Sequence, residues 1–171
     1  MGTDAHRAAA AAEGPVTVGI VTVSDTRTAD DDPNGAYLHE RVAAAGAVVA
    51  GYRVVRDEPD EVRAAVDELV DKARVVVVNG GTGISRRDTT YDTLAAMLEK
   101  QLPGFGELFR MLSYAEIGAA AMLSRATGGT IGTTAVFSLP GSEHAVRLAM
   151  TKLILPEIGH VVRELRRHTQ P

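Results

Sequence analysis

The chain has 171 residues, 45% of them apolar and 23% charged, with a net charge of −4 and no cysteine. This length suits one compact domain, and the lack of cysteine excludes disulfide scaffolds, cysteine nucleophiles, iron–sulfur clusters and thiolate metal sites. The negative charge argues against a nucleic-acid partner bound through its phosphates, and no apolar run approaches the ~20 residues that a membrane helix needs.

The first residues show no pattern of a folded element. An alanine run at 8–12 is shorter than the apolar region of a secretory signal, and His6 stands where a myristoylation signal needs Ser or Thr. We therefore expect a disordered segment over residues 1–14, a single domain over 15–168, and a cytoplasmic protein without a membrane partner.

Strand and helix patterns alternate through the first half of the chain. Residues 16–23, 48–55 and 75–78 are runs rich in β-branched residues, typical of buried strands. Helical patterns separate them, over 37–45 and 59–70. This alternation predicts right-handed crossovers onto a largely parallel sheet, whose ligands bind beyond the carboxyl ends of the strands.

Helical patterns dominate the second half. A helix is expected from the region of Asp92 to about residue 102, and two short helices within 105–123, divided by Gly118. Residues 105–123 hold more apolar side chains than one helical face needs, which suits either a subunit interface or a buried intrachain hairpin. A last strand is predicted over 133–139, followed by a helical stripe that Pro156 divides.

The strongest local motif is Gly80-Gly81-Thr82-Gly83, between the third strand and a helix. Glycines allow backbone amides to approach an anion closely, and the start of the following helix adds its dipole. The motif is not a dinucleotide fingerprint, because Arg86 stands where the third glycine would be, and the lysine of a P-loop is absent. A purely structural turn fits the pattern equally well.

Acidic side chains follow the same strand ends. Asp88 can hold a magnesium ion that bridges phosphate oxygens clamped by Arg86 and Arg87, or it can simply cap the next helix. Asp57 follows the second strand and has the same two interpretations, a site residue or an ordinary acid at the start of a helix. The histidines show no metal-ligand spacing.

Three further segments have the composition of anion-contacting turns. Ser24 and Thr26 can donate to phosphate, beside Asp25 and other acids in a loop that is otherwise expected to be solvated. The other two segments are 124–129, which reads Ser-Arg-Ala-Thr-Gly-Gly, and Pro-Gly-Ser at 140–142. Each of these signals is weak when taken alone.

Five motifs stand in order along the chain: VTVSDT at 21–26, NGGTGISRRD at 79–88, GFGELFRMLSYAEIG at 104–118, LSRATGG at 123–129 and LPGSEHA at 139–145. Together they resemble the MoaB/MogA family of molybdenum-cofactor biosynthesis proteins over about residues 16–165, and the third is closer to the MoaB branch. The resemblance implies a three-layer α/β/α fold with a mostly parallel, mixed sheet. It also implies a homotrimer or a hexamer of two trimers, and a molybdopterin site at the carboxyl edge.

The family's catalysts are molybdopterin adenylyltransferases, which use Mg²⁺, with ATP and molybdopterin as substrates. The terminal phosphate of molybdopterin attacks the α-phosphorus of ATP and releases pyrophosphate. The resemblance implies three groups of site residues: Asp57 and Asp88 for catalysis and magnesium; Gly80, Gly81, Thr82, Gly83, Ser24, Asp25 and Thr26 for nucleotide and phosphate; and Ser124, Arg125, Pro140, Gly141 and Ser142 for molybdopterin.

Two segments depart from the family's pattern. Its catalytic members commonly read Asp-Val-Thr-Pro-Glu where this chain reads Asp-Thr-Thr-Tyr-Asp at 88–92, and its first loop often has Ser-Gly in place of Asn34-Gly35. A non-catalytic molybdopterin carrier therefore stays open beside the enzyme, as does a nucleotide-binding regulatory domain. An enzyme of this kind implies handover of its product to a molybdate-insertion protein.

Overall fold

The computed structural model describes residues 14–167. The prediction of a disordered start thus lies outside the described residues, Gly14 excepted. In chain order the elements are β1 (Thr17–Val23), α1 (Pro33–Ala44), β2 (Val48–Val55), α2 (Pro59–Val70), β3 (Val75–Asn79), α3 (Thr90–Met97), β4 (Lys100–Gln101), α4 (Pro103–Ile117), a 3-10 helix (Gly118–Leu123), β5 (Thr127–Ile131), β6 (Thr134–Leu139), α5 (Glu143–Ala149), a π-helical segment (Met150–Ile154) and α6 (Leu155–Arg166).

The strands form one mixed sheet in the order β2-β1-β3-β6-β5-β4. The first four strands are parallel to one another, whereas β5 runs antiparallel to both β6 and β4. The carboxyl ends of β1, β2, β3 and β6 therefore meet at one edge of the sheet. This arrangement confirms the predicted, mostly parallel sheet.

Helices cover both faces of the sheet and complete the predicted three layers. Along β3, Val75 and Val77 pack into one core with side chains of α1, α4, α5 and α6. The alternate residues Val76 and Val78 pack into a second core with side chains of α2 and α3. Because side chains alternate along a strand, four consecutive buried valines require a helical layer on each side.

The segment after α3 differs from its prediction. The helix ends at Met97, not near residue 102, and Leu98 is extended, with φ −68° and ψ 125°. The backbone N–H groups of Glu99 and Leu102 donate to carbonyl oxygens of β5, each at 2.8 Å. Pairing with β5 thus replaces the last helical turn with the short edge strand β4.

Strand β5 was predicted as part of a turn. Gly128 and Gly129 lie inside it, where glycine is unfavourable unless another group approaches closely. A Cβ at Gly128 would lie 2.9 Å from Phe137, and one at Gly129 would lie 2.3 Å from the carbonyl oxygen of Lys100. The two glycines therefore permit close packing within the sheet and do not form an anion-binding turn.

The helical second half follows its predicted breaks with one change. The chain leaves α4 at Gly118, whose φ of +64° favours glycine, and continues as a 3-10 helix. Pro156 lies in the first turn of α6, directly after the π-helical segment, so the chain stays helical across the predicted boundary. Within residues 14–167, no helix is both long and apolar enough to cross a membrane.

Candidate functional site

A cleft of about 480 Å³ lies at the carboxyl edge of the sheet. One wall is apolar and comes from α4 and the 3-10 helix, with Phe109, Ile117 and Leu123 among its members. The opposite wall is polar. It brings together nine of the predicted site residues: Gly80, Gly81, Thr82, Gly83, Asp88, Ser124, Pro140, Gly141 and Ser142.

The remaining predicted residues surround this cleft without lining it. Ser24, Asp25 and Thr26 form the turn after β1, and the Ser24 hydroxyl accepts hydrogen bonds from the N–H groups of Thr26 and Arg27. Asp57 lies beneath the loop that follows β3, and Arg125 lies beside that loop.

The glycine loop, residues 80–84, has the geometry of an anion cradle. Gly80 and Gly81 have φ of +104° and +66°, and a Cβ on either would lie 2.1 Å from a neighbouring atom. Within residues 14–167, the backbone N–H groups of Gly81, Thr82, Gly83 and Ile84 donate no hydrogen bond. Unpaired amides that follow one another along a loop favour an anion, which supports the cradle over a purely structural turn.

Asp57 holds this loop in place from a buried position. Its side chain is 6% exposed. Oδ1 accepts hydrogen bonds from Thr89 N at 3.1 Å, Thr89 Oγ1 at 2.8 Å and Thr90 Oγ1 at 3.0 Å. A residue that follows β2 thus ties down the start of α3, a contact that sequence spacing does not reveal.

Asp88 does not cap α3, so that alternative for it is wrong. Residue Thr89 is the N-cap, with no side-chain capping bond. Asp88 Oδ2 accepts hydrogen bonds from Ser85 N at 3.1 Å and Ser85 Oγ at 2.6 Å. The half-buried Asp88 carboxylate borders the cleft beside Gly83.

The two arginines predicted to clamp phosphate have different surroundings. Arg87 makes a bidentate pair with Asp25, at 2.9 and 2.8 Å, and its Nη1 donates to Glu58 Oε1 and to the carbonyl oxygen of Asp57, each at 2.9 Å. These bonds to Arg87, followed by the N–H of Asp57, lower the pKa of the Asp25 carboxyl. Arg86 is exposed and pairs with no residue of the described chain, so all of its donors are available to a phosphate.

Two buried asparagines position the second turn of the cleft; the sequence analysis named Asn34 only as a departure from the family's pattern and did not single out Asn79. Asn34 Nδ2 donates to Asn79 Oδ1 and to the carbonyl oxygen of Gly141, both at 2.9 Å. Asn79 Nδ2 donates to Thr22 Oγ1 at 3.0 Å. The only sign of Asn79 in the sequence was a polar residue at the end of a strand of four valines. Ser142 Oγ in turn caps α5 through Ala145 N at 3.2 Å.

The acids suit a magnesium ion that arrives with a substrate. Within residues 14–167, no three His, Cys, Asp or Glu side chains are grouped around a common metal position. Asp88 Oδ1 and Asp57 Oδ2 accept no hydrogen bond there, and both carboxylates face the glycine loop. Magnesium commonly takes one or two protein carboxylates and completes its shell with phosphate oxygens and water, so these residues fit Mg²⁺ bound to a phosphate chain.

Comparison with known proteins assigns the family. A family model described as a probable molybdopterin binding domain matches residues 19–160. The chain belongs to this family. Molybdenum cofactor biosynthesis protein B of Bacillus cereus is 55% identical to it over 154 residues, which cover 86% of this chain and 89% of the relative.

Solved structures agree with the sequence comparison. A crystal structure of a molybdenum cofactor biosynthesis protein B matches with a TM-score of 0.87 and 53% identity, covering 90% of this chain and 98% of the other. The tungsten cofactor synthesizing protein MoaB of Pyrococcus furiosus matches with a TM-score of 0.81 and 37% identity, over 89% and 98% of the two chains. The resemblance to the MoaB branch and the three-layer fold are thereby confirmed.

Proposed function

We propose that this protein acts in molybdenum cofactor biosynthesis as a molybdopterin adenylyltransferase, which transfers AMP from Mg-ATP to the terminal phosphate of molybdopterin. One observation carries the proposal: the amides of Gly81, Thr82 and Gly83, which donate no hydrogen bond within residues 14–167, adjoin the Asp88 carboxylate at a single cleft. Family membership supports molybdopterin as the second ligand.

The two walls of the cleft suit the two parts of these substrates. The exposed side chains of Ile117 and Leu123 offer apolar surface to the flat faces of a ring system. The glycine loop and the turn that contains Gly141 offer backbone groups to phosphates. A ligand that carries both a pterin and a phosphate would use both walls.

The proposed reaction forms one P–O bond and breaks another. An oxygen of the molybdopterin phosphate attacks the α-phosphorus of ATP, and the bond to the bridging oxygen of the β-phosphate breaks, so pyrophosphate leaves. The loop amides hold the phosphate chain and offset its developing charge, and Arg86, exposed two residues after the loop, adds a positive charge. Such a transfer depends on positioning and charge neutralisation and needs no cysteine nucleophile.

Magnesium enters this site as the partner of ATP. When bound, it would neutralise charge on the phosphates and help to orient them. Asp88 is the residue that would hold it from the cleft, through the oxygen that accepts no bond from Ser85. Asp57 remains the second predicted ligand, through Oδ2, which lies on the side of Gly81.

The proposal is tested by incubating the purified protein with molybdopterin and Mg-ATP. We expect one pyrophosphate released for each adenylyl-molybdopterin formed. Two controls should give neither product: the same reaction with an ATP analogue whose α,β-bridge is a methylene group, and the reaction in excess EDTA. Tight molybdopterin binding without pyrophosphate release would contradict the enzyme and support a carrier.

The carrier is the second candidate, and the hydrogen bonds that Arg87 makes within the protein favour it. Four of the five N–H donors of Arg87 are taken by Asp25, Glu58 and the carbonyl oxygen of Asp57, so it has at most one left for a phosphate in this conformation. A carrier would need only the residues predicted to bind molybdopterin, which lie around Ser124 and Gly141. In the adenylylation assay it would retain the pterin and leave ATP unchanged.

We further propose that the protein is a homotrimer, or a hexamer of two trimers. Large apolar side chains on α4 and the 3-10 helix are exposed, including Met111 at 59%, Tyr114 at 66% and Met122 at 80%. The alternative of burial within the chain is right for Phe105 and Phe109, which lie in the core, and wrong for the exposed Leu108, Met111 and Ile117. Light scattering after size-exclusion chromatography tests the assembly, and a monomer of 18.0 kDa would contradict it.

This role implies a place in the cytoplasm and a recipient for the product. Adenylyl-molybdopterin is an activated intermediate, so the next reaction must consume it, and a molybdate-insertion protein is the proposed partner. Mixing the two proteins after adenylylation should release AMP only when molybdate is present.

A further inference from the structure

Arg125, which the family resemblance assigns to molybdopterin, makes its contacts with the glycine loop and with α3. Nε donates to the carbonyl oxygen of Thr82 at 3.1 Å, and Nη2 donates to that of Gly83. Nη1 pairs with Asp92 Oδ2 at 3.1 Å, and the guanidinium lies 4.6 Å from the centroid of the Tyr91 ring. Each nitrogen of the guanidinium therefore has a partner within the protein.

The side chain of Arg125 also lies outside the cleft. It lines a separate depression of about 350 Å³, together with Tyr91 and Arg110, and it is 26% exposed. Its neighbour Ser124 lines both the depression and the cleft. A ligand in the cleft would therefore meet the loop and not the guanidinium.

The orientation of two peptide groups follows from these contacts. No cis peptide bond occurs in the described chain, and in a trans peptide the C=O and the N–H point in opposite directions. The carbonyl of Thr82 shares a peptide unit with the N–H of Gly83, and the carbonyl of Gly83 with the N–H of Ile84. Because both carbonyls face Arg125, both N–H groups face away from it, and neither donates a hydrogen bond within residues 14–167.

We propose that Arg125 is a positioning residue that turns the amides of Gly83 and Ile84 toward a bound phosphate chain without touching the ligand. Tyr91 and Asp92 hold the guanidinium, so the direction of these amides depends on the first turn of α3. The inference rests on the proposed function, because it assigns the same amides to the phosphates of ATP.

The test separates orientation from charge. Arg125→Lys keeps the positive charge, but one ammonium group cannot reproduce a fork that serves two carbonyls and a carboxylate. We expect Arg125→Lys and Arg125→Met to lose affinity for inorganic tripolyphosphate with Mg²⁺ equally, by about 10-fold in calorimetry. Molybdopterin affinity should fall less, because its phosphate also has the turn that contains Gly141. Arg147→Lys is the matched control, because Arg147 also stacks on a tyrosine, at 4.3 Å from the Tyr37 ring, but lies on α5.

Two further readouts keep the test decisive. In folded Arg125→Lys, the amide nitrogen and proton shifts of Gly83 and Ile84 should move, whereas those of Gly132 should not. If the Arg125 variants do not fold, Asp92→Ala serves instead, because it removes both carboxylate oxygens that accept from Arg125 and leaves the arginine, and a smaller loss of tripolyphosphate affinity is expected. Wild-type affinity in Asp92→Ala, with those shifts unmoved, would overturn the positioning role.

The outcomes distinguish this inference from the function on which it rests. If Arg125→Lys binds tripolyphosphate as tightly as wild type and Arg125→Met binds it more weakly, the charge itself is needed. That result would overturn the positioning role and leave the proposed function intact. A fall in molybdopterin affinity, with tripolyphosphate affinity unchanged, would show that Arg125 binds molybdopterin, as the family resemblance implies. Failure of the wild-type protein to bind tripolyphosphate would remove the proposed nucleotide site and this inference with it.

Discussion

Asp57 and Asp88 are both aspartates and lie on two sides of one glycine loop, yet their surroundings differ. Asp57 is 6% exposed and receives three hydrogen bonds from Thr89 and Thr90 on one oxygen. Asp88 is half-buried at the cleft, and within residues 14–167 only Ser85 donates hydrogen bonds to it. Burial thus gives Asp57 a part in fixing the start of α3 that Asp88 does not share, in addition to the metal-binding role that the motifs give both residues.

The largest expected effect is that of Asp57→Ala on stability. The substitution leaves the donors of Thr89 and Thr90 without their acceptor, so the free energy of unfolding should fall by about 3 kcal/mol in urea titrations. Glu58→Ala is the matched control, because Glu58 is exposed and pairs with Arg87 at the surface. That variant should lie within about 0.5 kcal/mol of wild type. Equal losses would contradict the structural role of Asp57.

An added methyl group probes each side of the loop separately. In Gly81→Ala the Cβ would lie 2.1 Å from Thr90 Oγ1 and 2.5 Å from Asp57 Oδ2, at φ +66°. This variant should lose about 2 kcal/mol of unfolding free energy. In Gly83→Ala the three atoms nearest the Cβ all belong to the Asp88 carboxylate, the closest at 2.5 Å, and this side chain can turn away. Gly83→Ala should therefore fold normally and transfer AMP slowly, and the opposite pattern would reverse the two assignments.

The smallest effect is expected in the acid stability of the segment beside Asp57. The pKa of Asp25 is lowered, first by its hydrogen bonds from Arg87 and then by the N–H of Asp57. A lowered folded-state pKa gives stability that is present above the unfolded pKa, about 4, and is lost as pH falls through the folded value. Urea midpoints should therefore fall less steeply below about pH 4 in Asp25→Asn than in wild type.

Asp30→Asn is the control for this measurement, because Asp30 lies in the same loop, is exposed and bonds to no residue of the described chain. Below about pH 4, its urea midpoints should fall as steeply as those of wild type. Identical slopes for Asp25→Asn and wild type would show that the Arg87 pair contributes nothing to folding.

Side-chain patterns predicted those strands of the fold whose own residues are apolar. The four valines of β3 were sufficient to indicate a strand buried on both faces, and the structure buries all of them. Strand β5, TGGTI, has no such apolar pattern. Its two glycines are required by close contacts with Phe137 and with the backbone of Lys100, which the local sequence does not show. The end of α3 was missed for the same reason, since β4 forms only by pairing with β5.

The location of the site could be predicted, but the role of each side chain could not. Parallel strands bring their carboxyl ends together, so residues after β1, β2, β3 and β6 had to lie near one another. Whether an arginine faces a ligand or a neighbour depends on bonds between distant segments, such as Arg125 to Thr82 and Arg87 to Asp25. Asn34 and Asn79 are functional candidates for the same reason, through their link to Gly141.

The most direct test of this division between the two acids is single-turnover adenylylation of molybdopterin by Asp88→Asn at saturating magnesium. Asp88 borders the cleft and has one oxygen that accepts no hydrogen bond within the described residues. We predict a rate about 100-fold below wild type, with molybdopterin affinity and unfolding free energy unchanged. Equal rates for the two proteins would remove Asp88 from the mechanism and contradict the account.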